Sequence, residues 1–157
     1  MKVLPFQIPK PEHAALVFQE DIEMAFYDKL HQHDEIQLSY IAEGEGTLIV
    51  GDTINDYTKG DVLVLGSNLP HVFKSKASEV ASHMITLFFT KEGFGETFFN
   101  LDELRETTSF FNKVDNGFKV TNNKQLKARF LSLKNASTLE RFIKLLELLQ
   151  SLSKCKK

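Results

Sequence analysis

Five side chains in this sequence have the types and spacing for coordination chemistry or a polar binding site. His31-Gln32-His33 sets two imidazoles two residues apart. Positions i and i+2 of an extended strand share a face. One strand running from His31 to Gln37 therefore puts His31, His33, Glu35 and Gln37 on the same side. His71 follows Pro70 at the head of another apolar run, placed to come opposite the first pair. Three neutral imidazoles and one oxygen donor suit Zn²⁺, Ni²⁺, Fe²⁺ or Mn²⁺ by ligand type. An ion there is expected at roughly 2.0–2.2 Å from the imidazole nitrogens, with Gln37 or water completing the shell. The same residues also describe a metal-free pocket, in which imidazoles hydrogen-bond one another or a polar ligand. Gln37 stands where a charged carboxylate would be the stronger ligand. Both readings are open at this level.

Other chemistries lack their residues. Gly44-Glu45-Gly46 has no third glycine and opens no helix, so it is not a phosphate loop. No nucleophile elbow is present. Cys155 sits in the basic run Lys154-Cys155-Lys156-Lys157, which reads as a solvated chain end. His13 and His83 stand outside this spacing and read as surface or packed histidines. The residues thus give no catalytic set, and the expectation is a protein that is not an enzyme.

The elements that must position the five residues are mostly strands. Pro5, Pro9 and Pro11 make residues 1–20 an extended lead-in rather than a helix. Residues 35–41 alternate polar and apolar with period two. Residues 47–50 form a β-branched run closed by Gly51-Asp52, a two-residue hairpin signal. Lys59-Gly60-Asp61 turns the chain into the apolar run 62–65, and residues 71–74 and 80–90 follow as strands. Strands recurring every 8–12 residues or so, with turns between them, predict a β-sandwich or barrel. After Gly95 the period becomes helical over 96–113, 122–134 and about 137–153. Ser137 and Glu140 match a capping box.

The last helix divides into two stripes. Leu139, Phe142, Ile143, Leu146 and Leu149 make a broad face expected to pack on the chain's own domain. Leu145, Leu148 and Leu152 make a narrower seam expected to meet a two-fold copy in a homodimer; the alternative is that residues 122–134 of the same chain cover it.

Composition bounds the rest. At 157 residues, with 42% hydrophobic and 25% charged, the chain can fill one globular core. Fourteen Phe and no Trp predict a phenyl-rich core or pocket. One cysteine excludes an internal disulfide, and no secretory leader or membrane span is readable, so the expected compartment is the cytoplasm. Residues 1–78 carry six Lys/Arg against twelve Asp/Glu, and residues 79–157 carry thirteen against nine. The acidic first half repels phosphate backbones, so this chain alone is a poor nucleic-acid binder.

His31-Gln32-His33, Gln37 and Gly44-Glu45-Gly46 together resemble the first cupin motif. Gly60-Asp61, Pro70 and His71 resemble the second. The stretches HQHDEIQLSYIAEGEGTLIVGD and KGDVLVLGSNLPHVFKS are similar to the ligand-binding cupin domain of AraC-type transcriptional regulators, and the similarity extends over about residues 6–157. The resemblance implies a mainly β fold with C-terminal helices: a double-stranded β-helix (jelly-roll) barrel over 1–95, and a helical dimerisation segment over 96–157 packed on it as one unit. It implies a small-molecule effector, such as a sugar, bound in the barrel by His31, His33, Glu35, Gln37 and His71. It also implies DNA binding through a helix-turn-helix domain that this sequence does not contain. The function so implied is sensing and dimerisation in a bacterial regulator. The alternative is a metal-dependent cupin enzyme, a dioxygenase or isomerase, with Glu35 as its acid or base.

Overall fold

The computed structural model describes residues 2–11 and 13–155; Met1 and the Lys156 and Lys157 of the basic tail lie outside the described residues. Ten strands precede or interrupt the helices. They are β1 (Leu4–Pro5), β2 (Leu16–Glu23), β3 (His31–Gln32), β4 (Ile36–Glu43), β5 (Glu45–Val50), β6 (Thr53–Thr58), β7 (Val62–Leu65), β8 (His71–Ser75), β9 (Ser82–Phe89) and β10 (Phe118–Val120). Three 3₁₀ turns over residues 91–107 lead into α1 (Thr108–Lys113), and α2 (Lys124–Leu131) and α3 (Thr138–Lys154) complete the chain. Among the described residues no helix is long and apolar enough to cross a membrane.

The strands form two five-stranded sheets, ordered β1-β3-β8-β5-β6 and β10-β7-β4-β9-β2. Neighbours pair antiparallel, except for the short parallel pair β1–β3. No described strand belongs to both sheets, so the expected closed barrel is corrected to a sandwich with two open seams. The β5–β6 hairpin turns at Gly51-Asp52, where Val50 pairs with Thr53. Gly51 has φ 55°, which an L side chain adopts only with strain.

The second sheet is buried on both faces. Its inner face meets the first sheet in an apolar cluster that includes Ile41, Leu63, Leu65, Leu48, Phe73 and Tyr57. Its outer face carries Leu38, Val64, Leu87 and Phe89 into a larger cluster with the helices. That double burial explains why 62–65 is an unbroken Val-Leu-Val-Leu run instead of an alternating one. Phenyl rings fill the helical layer: Phe94, Phe98, Phe99, Phe110 and Phe111 contact one another with centroids 4.8–6.0 Å apart.

Helix α3 begins with the capping box, Ser137 Oγ accepting from Glu140 N at 3.1 Å and Glu140 Oε1 accepting from Ser137 N at 2.8 Å. Its packing bears out part of the broad face, since Leu149 is buried, Leu146 packs on the core and Phe142 contacts Phe94 and Phe98, but it also takes in the seam. Leu145, Leu148, Leu149 and Leu152 are fully buried in the chain's own core, while Leu139 and Ile143 are 66% and 49% exposed. The seam assigned to a homodimer is therefore the one that holds the helix to its own domain. Helices α1 and α2 and the sheet occupy the space that a second copy was expected to fill.

Candidate metal and ligand site

The four polar residues His31, His33, Gln37 and His71 face one small cavity of about 90 Å³ between the two sheets. They arrive there by a route the parity argument did not contain. His31 opens β3 in the first sheet, and Gln37 sits in β4 of the second. Between them the chain bends through residues 33–35 and crosses the sandwich, so no single strand carries all of them. His71 stands directly opposite His31 in the β3–β8 pair. The loop after β7 holds the bend in place: Asn68 N donates to His33 O at 2.7 Å, and Ser67 Oγ donates to Asp34 O at 2.6 Å.

Glu35 does not join them. The bend breaks the i, i+2 rule, and Glu35 lines a separate surface cleft with Pro9, Lys10 and Asn68. Its Oε1 lies 4.0 Å from His33 Nδ1, the ring nitrogen whose hydrogen bond goes to the Glu35 backbone carbonyl. The expectation of Glu35 on the same face is corrected accordingly.

The imidazoles are set with one tautomer. Nδ1 of His31 donates to Lys29 O at 2.7 Å, Nδ1 of His33 to Glu35 O at 2.9 Å, and Nδ1 of His71 to Leu69 O at 2.8 Å. A carbonyl can only accept, so each Nδ1 carries the proton and each Nε2 of a neutral ring presents a lone pair. Ring nitrogens of the three residues lie within 4.8 Å of one another, and all three residues are buried. Ring centroids are 4.3 Å apart for His31–His71 and 5.1 Å for His33–His71. Burial holds the His71 pKa down to about 3 and lowers that of His31, so both are neutral near pH 7. His71 Nε2 is buried with no hydrogen-bond partner.

Gln37 is oriented from behind. Its Nε2 donates to Ser39 Oγ at 2.9 Å, and Ser39 Oγ is 2.7 Å from Thr86 Oγ1. Its Oε1 therefore faces His33 Nε2 at 3.1 Å. Two lone-pair donors at that distance repel, and either a cation between them or a half-turn of the amide that brings its NH₂ to His33 Nε2 relieves the contact. The spacing is compatible with two ligands of one ion at bonds near roughly 2.1 Å. The donor set thus fits a divalent ion on two observations: a common tautomer and an orphaned buried nitrogen.

Three further polar residues on this cavity were not singled out from the sequence. Gln19, Asp21 and Glu23 alternate along β2 and line the cavity. The alternation was visible, but residues 1–20 read only as a lead-in, and the pairing of β2 with β9 is a long-range fact. His83, expected to be a surface or packed histidine, is partly exposed and pairs with Glu20 at 2.6 Å on the opposite face of that strand.

The family model described as a cupin domain matches residues 21–88, which include every residue of the cluster. Over those residues the chain is similar to cupin domains. No curated protein is significantly similar to the chain in sequence. Among solved structures, apo ToxT from Vibrio cholerae is similar with TM-score 0.53 at 11% identity, over 88% of this chain and 57% of its own. A putative mannose-6-phosphate isomerase from Ralstonia eutropha gives TM-score 0.44 at 9% identity, over 48% of this chain and 75% of its own. The Bacillus subtilis oxalate decarboxylase, described with Mn(II) centres, gives 0.39 at 24% identity, over 48% of this chain and 20% of its own. The chain thus spans little more than half of ToxT and a fifth of the decarboxylase, and the likeness to ToxT is one of fold. The expectation of a protein that is not an enzyme is corrected: the cupin match covers three buried imidazoles on one cavity, so the lack of a nucleophile or phosphate loop does not exclude catalysis here.

Proposed function

We propose that this chain is a small-molecule-binding cupin whose pocket is organised by one divalent metal ion, held by His31, His33 and His71 with Gln37 Oε1. The observation that carries the reading is the buried, unpartnered Nε2 of His71 beside two further imidazoles of the same tautomer. Leaving such a nitrogen without a partner costs about 1–3 kcal/mol in a dry interior, which a ligand recovers. When bound, the ion supplies Lewis acidity and an attachment point for an oxygen or nitrogen of the small molecule. The chain's own residues do the rest. The backbone carbonyls of Lys29, Glu35 and Leu69 fix the rings, Ser39 and Thr86 aim the Gln37 amide, and Phe26, Phe73 and Phe88 keep bulk water from the cluster.

The test is elemental analysis of the purified chain, with reloading by Zn²⁺, Mn²⁺, Ni²⁺ or Fe²⁺ after chelation. About one ion per chain is expected, and His71→Ala and His33→Ala should each reduce affinity by roughly 10–100-fold or more. Wild-type protein that takes up none of these ions at micromolar concentration overturns the reading.

A second reading gives this pocket a role in signalling, as the effector-binding module of an AraC-type regulator. What favours it is that the likeness to ToxT runs through the sandwich and the helices, 88% of the chain. Ligand-dependent association between copies, followed by sedimentation, tests that role. An association state that never responds to a saturating ligand counts against it.

A further inference from the structure

The cavity wall opposite the imidazoles has a chemistry of its own. Strand β2 turns every second side chain inward, and three of these are Gln19, Asp21 and Glu23. The sheet register aligns Ser39, Thr86 and Gln19 in one row, with Asp21 beside Met84 in the next. A polar track thus runs across the inner face of the sheet from His33, through Gln37, Ser39 and Thr86, to Gln19 and Asp21. Gln19 Nε2 donates to both carboxylate oxygens of Asp21, at 3.2 and 2.9 Å, and so fixes that carboxylate on the wall. Asp21 is half-buried, and Glu23 stands at the exposed mouth.

Among the described residues neither carboxylate has a counter-ion in the protein. Among the described residues lining the cavity none is Lys or Arg, and Asp21 and Glu23 take part in none of the ion pairs found. Aromatic rings line the same cavity: Phe26 and Phe73 are buried, and Phe6 and Tyr27 are exposed, with centroids 5.2 Å apart. Carboxylate and ring faces both attract a cation and repel an anion. The orphaned Nε2 of His71, which faces the same cavity, independently marks the space as built for an occupant.

We infer that the small molecule bound here is an organic cation, an amine or ammonium on an apolar body, with its charged group on Asp21 and Glu23. The inference rests on the cavity being the binding site proposed above, but not on a metal being present. An anionic metabolite, by contrast, finds no cationic side chain in this cavity and would depend wholly on a bound ion.

The experiment compares three isosteres: phenethylamine, 2-phenylethanol and 3-phenylpropionate. Calorimetric titration is run on the full chain, first metal-free in chelator and then zinc-loaded. In the metal-free protein phenethylamine is expected to bind about tenfold or more tighter than the alcohol, with the carboxylate weakest. Asp21→Asn should bring the amine to the level of the alcohol while the circular dichroism spectrum and melting temperature stay unchanged. Glu23→Gln, at the exposed mouth, should remove part of the preference even if the first variant folds poorly. Equal affinity for all three compounds, preference for the carboxylate, or no amine binding up to about 10 mM overturns the inference. So does a cation preference that survives both substitutions. Stoichiometric zinc uptake without cation preference would sink this inference and leave the metal reading intact; cation preference without zinc uptake would do the reverse.

Discussion

At the scale of single residues, Gln37 is the informative departure. Its amide contributes no charge, so the four donors of the cluster are all neutral, and an ion bound there keeps its full positive charge. In the absence of an ion, a half-turn of the amide would let its NH₂ donate to His33 Nε2 and relieve the lone-pair contact. Metal affinity is therefore expected to include the work of holding Oε1 forward, a task that falls to Ser39. Replacing the amide by a carboxylate should tighten binding, since an anionic ligand attracts the ion and cannot turn a donor toward His33. Gln37→Glu is expected to raise divalent-metal affinity at least tenfold in competition with a chromophoric chelator. Unchanged affinity would mean that Gln37 is not a ligand.

At the scale of elements, α3 shows how one helical pattern admits two placements. The positions 145, 148, 149 and 152 and the positions 139, 142, 143 and 146 each recur with helical spacing. Only the neighbours decide between them, and here α1, α2 and the β-sheet take the first set. Arg141 adds a lock: its guanidinium lies 4.0 Å from the Phe18 ring centroid and donates to the carbonyls of Leu133 and Lys134 at 2.9 Å each. Leu145→Ala or Leu148→Ala should thus cost about 2–5 kcal/mol of stability, as for other large-to-small core changes, read from urea unfolding. Leu139→Glu and Ile143→Glu, both at exposed positions, should change stability by no more than about 0.5 kcal/mol. A neutral Leu145→Ala would mean that α3 does not pack on its own domain as described.

At the scale of the whole molecule, the buried cluster ties stability to pH. His71 is 1% exposed and its folded pKa of about 3 lies below the ordinary value of 6.5. Between those two values the unfolded chain binds the proton and the folded metal-free chain does not. Stability therefore rises with pH across that window. The contribution is fully present above about pH 6.5 and is lost progressively as the pH falls toward 3, amounting to a few kcal/mol in order of magnitude. Urea unfolding of the metal-free protein at pH 7 and pH 4.5 should show this loss, and His71→Asn should flatten it. An equal slope in both proteins would show that His71 is not buried as a neutral group.

The sequence by itself determined the local elements. Period-two alternation over 35–41, the Gly51-Asp52 turn, the Val62–Leu65 run and the Ser137–Glu140 cap all depend on neighbours within a few residues, and each stands in the structure within two or three residues of its predicted place. The residue types His31, His33, Gln37 and His71 were legible for the same reason, since ligand chemistry belongs to the side chain. Tertiary structure decided what depends on distant partners. The crossing of the chain between sheets at residues 33–35 turned Glu35 outward while keeping His33 and Gln37 together. The pairing of β2 with β9, some sixty residues away in sequence, brought Asp21 to the pocket. Two open seams replaced a barrel, and the leucine seam assigned to a second copy went inward, with Leu139 and Ile143 left exposed. Strand pairing and helix docking are set by the burial of surface between segments far apart in the chain, and no local pattern records which of two suitable faces will find its partner.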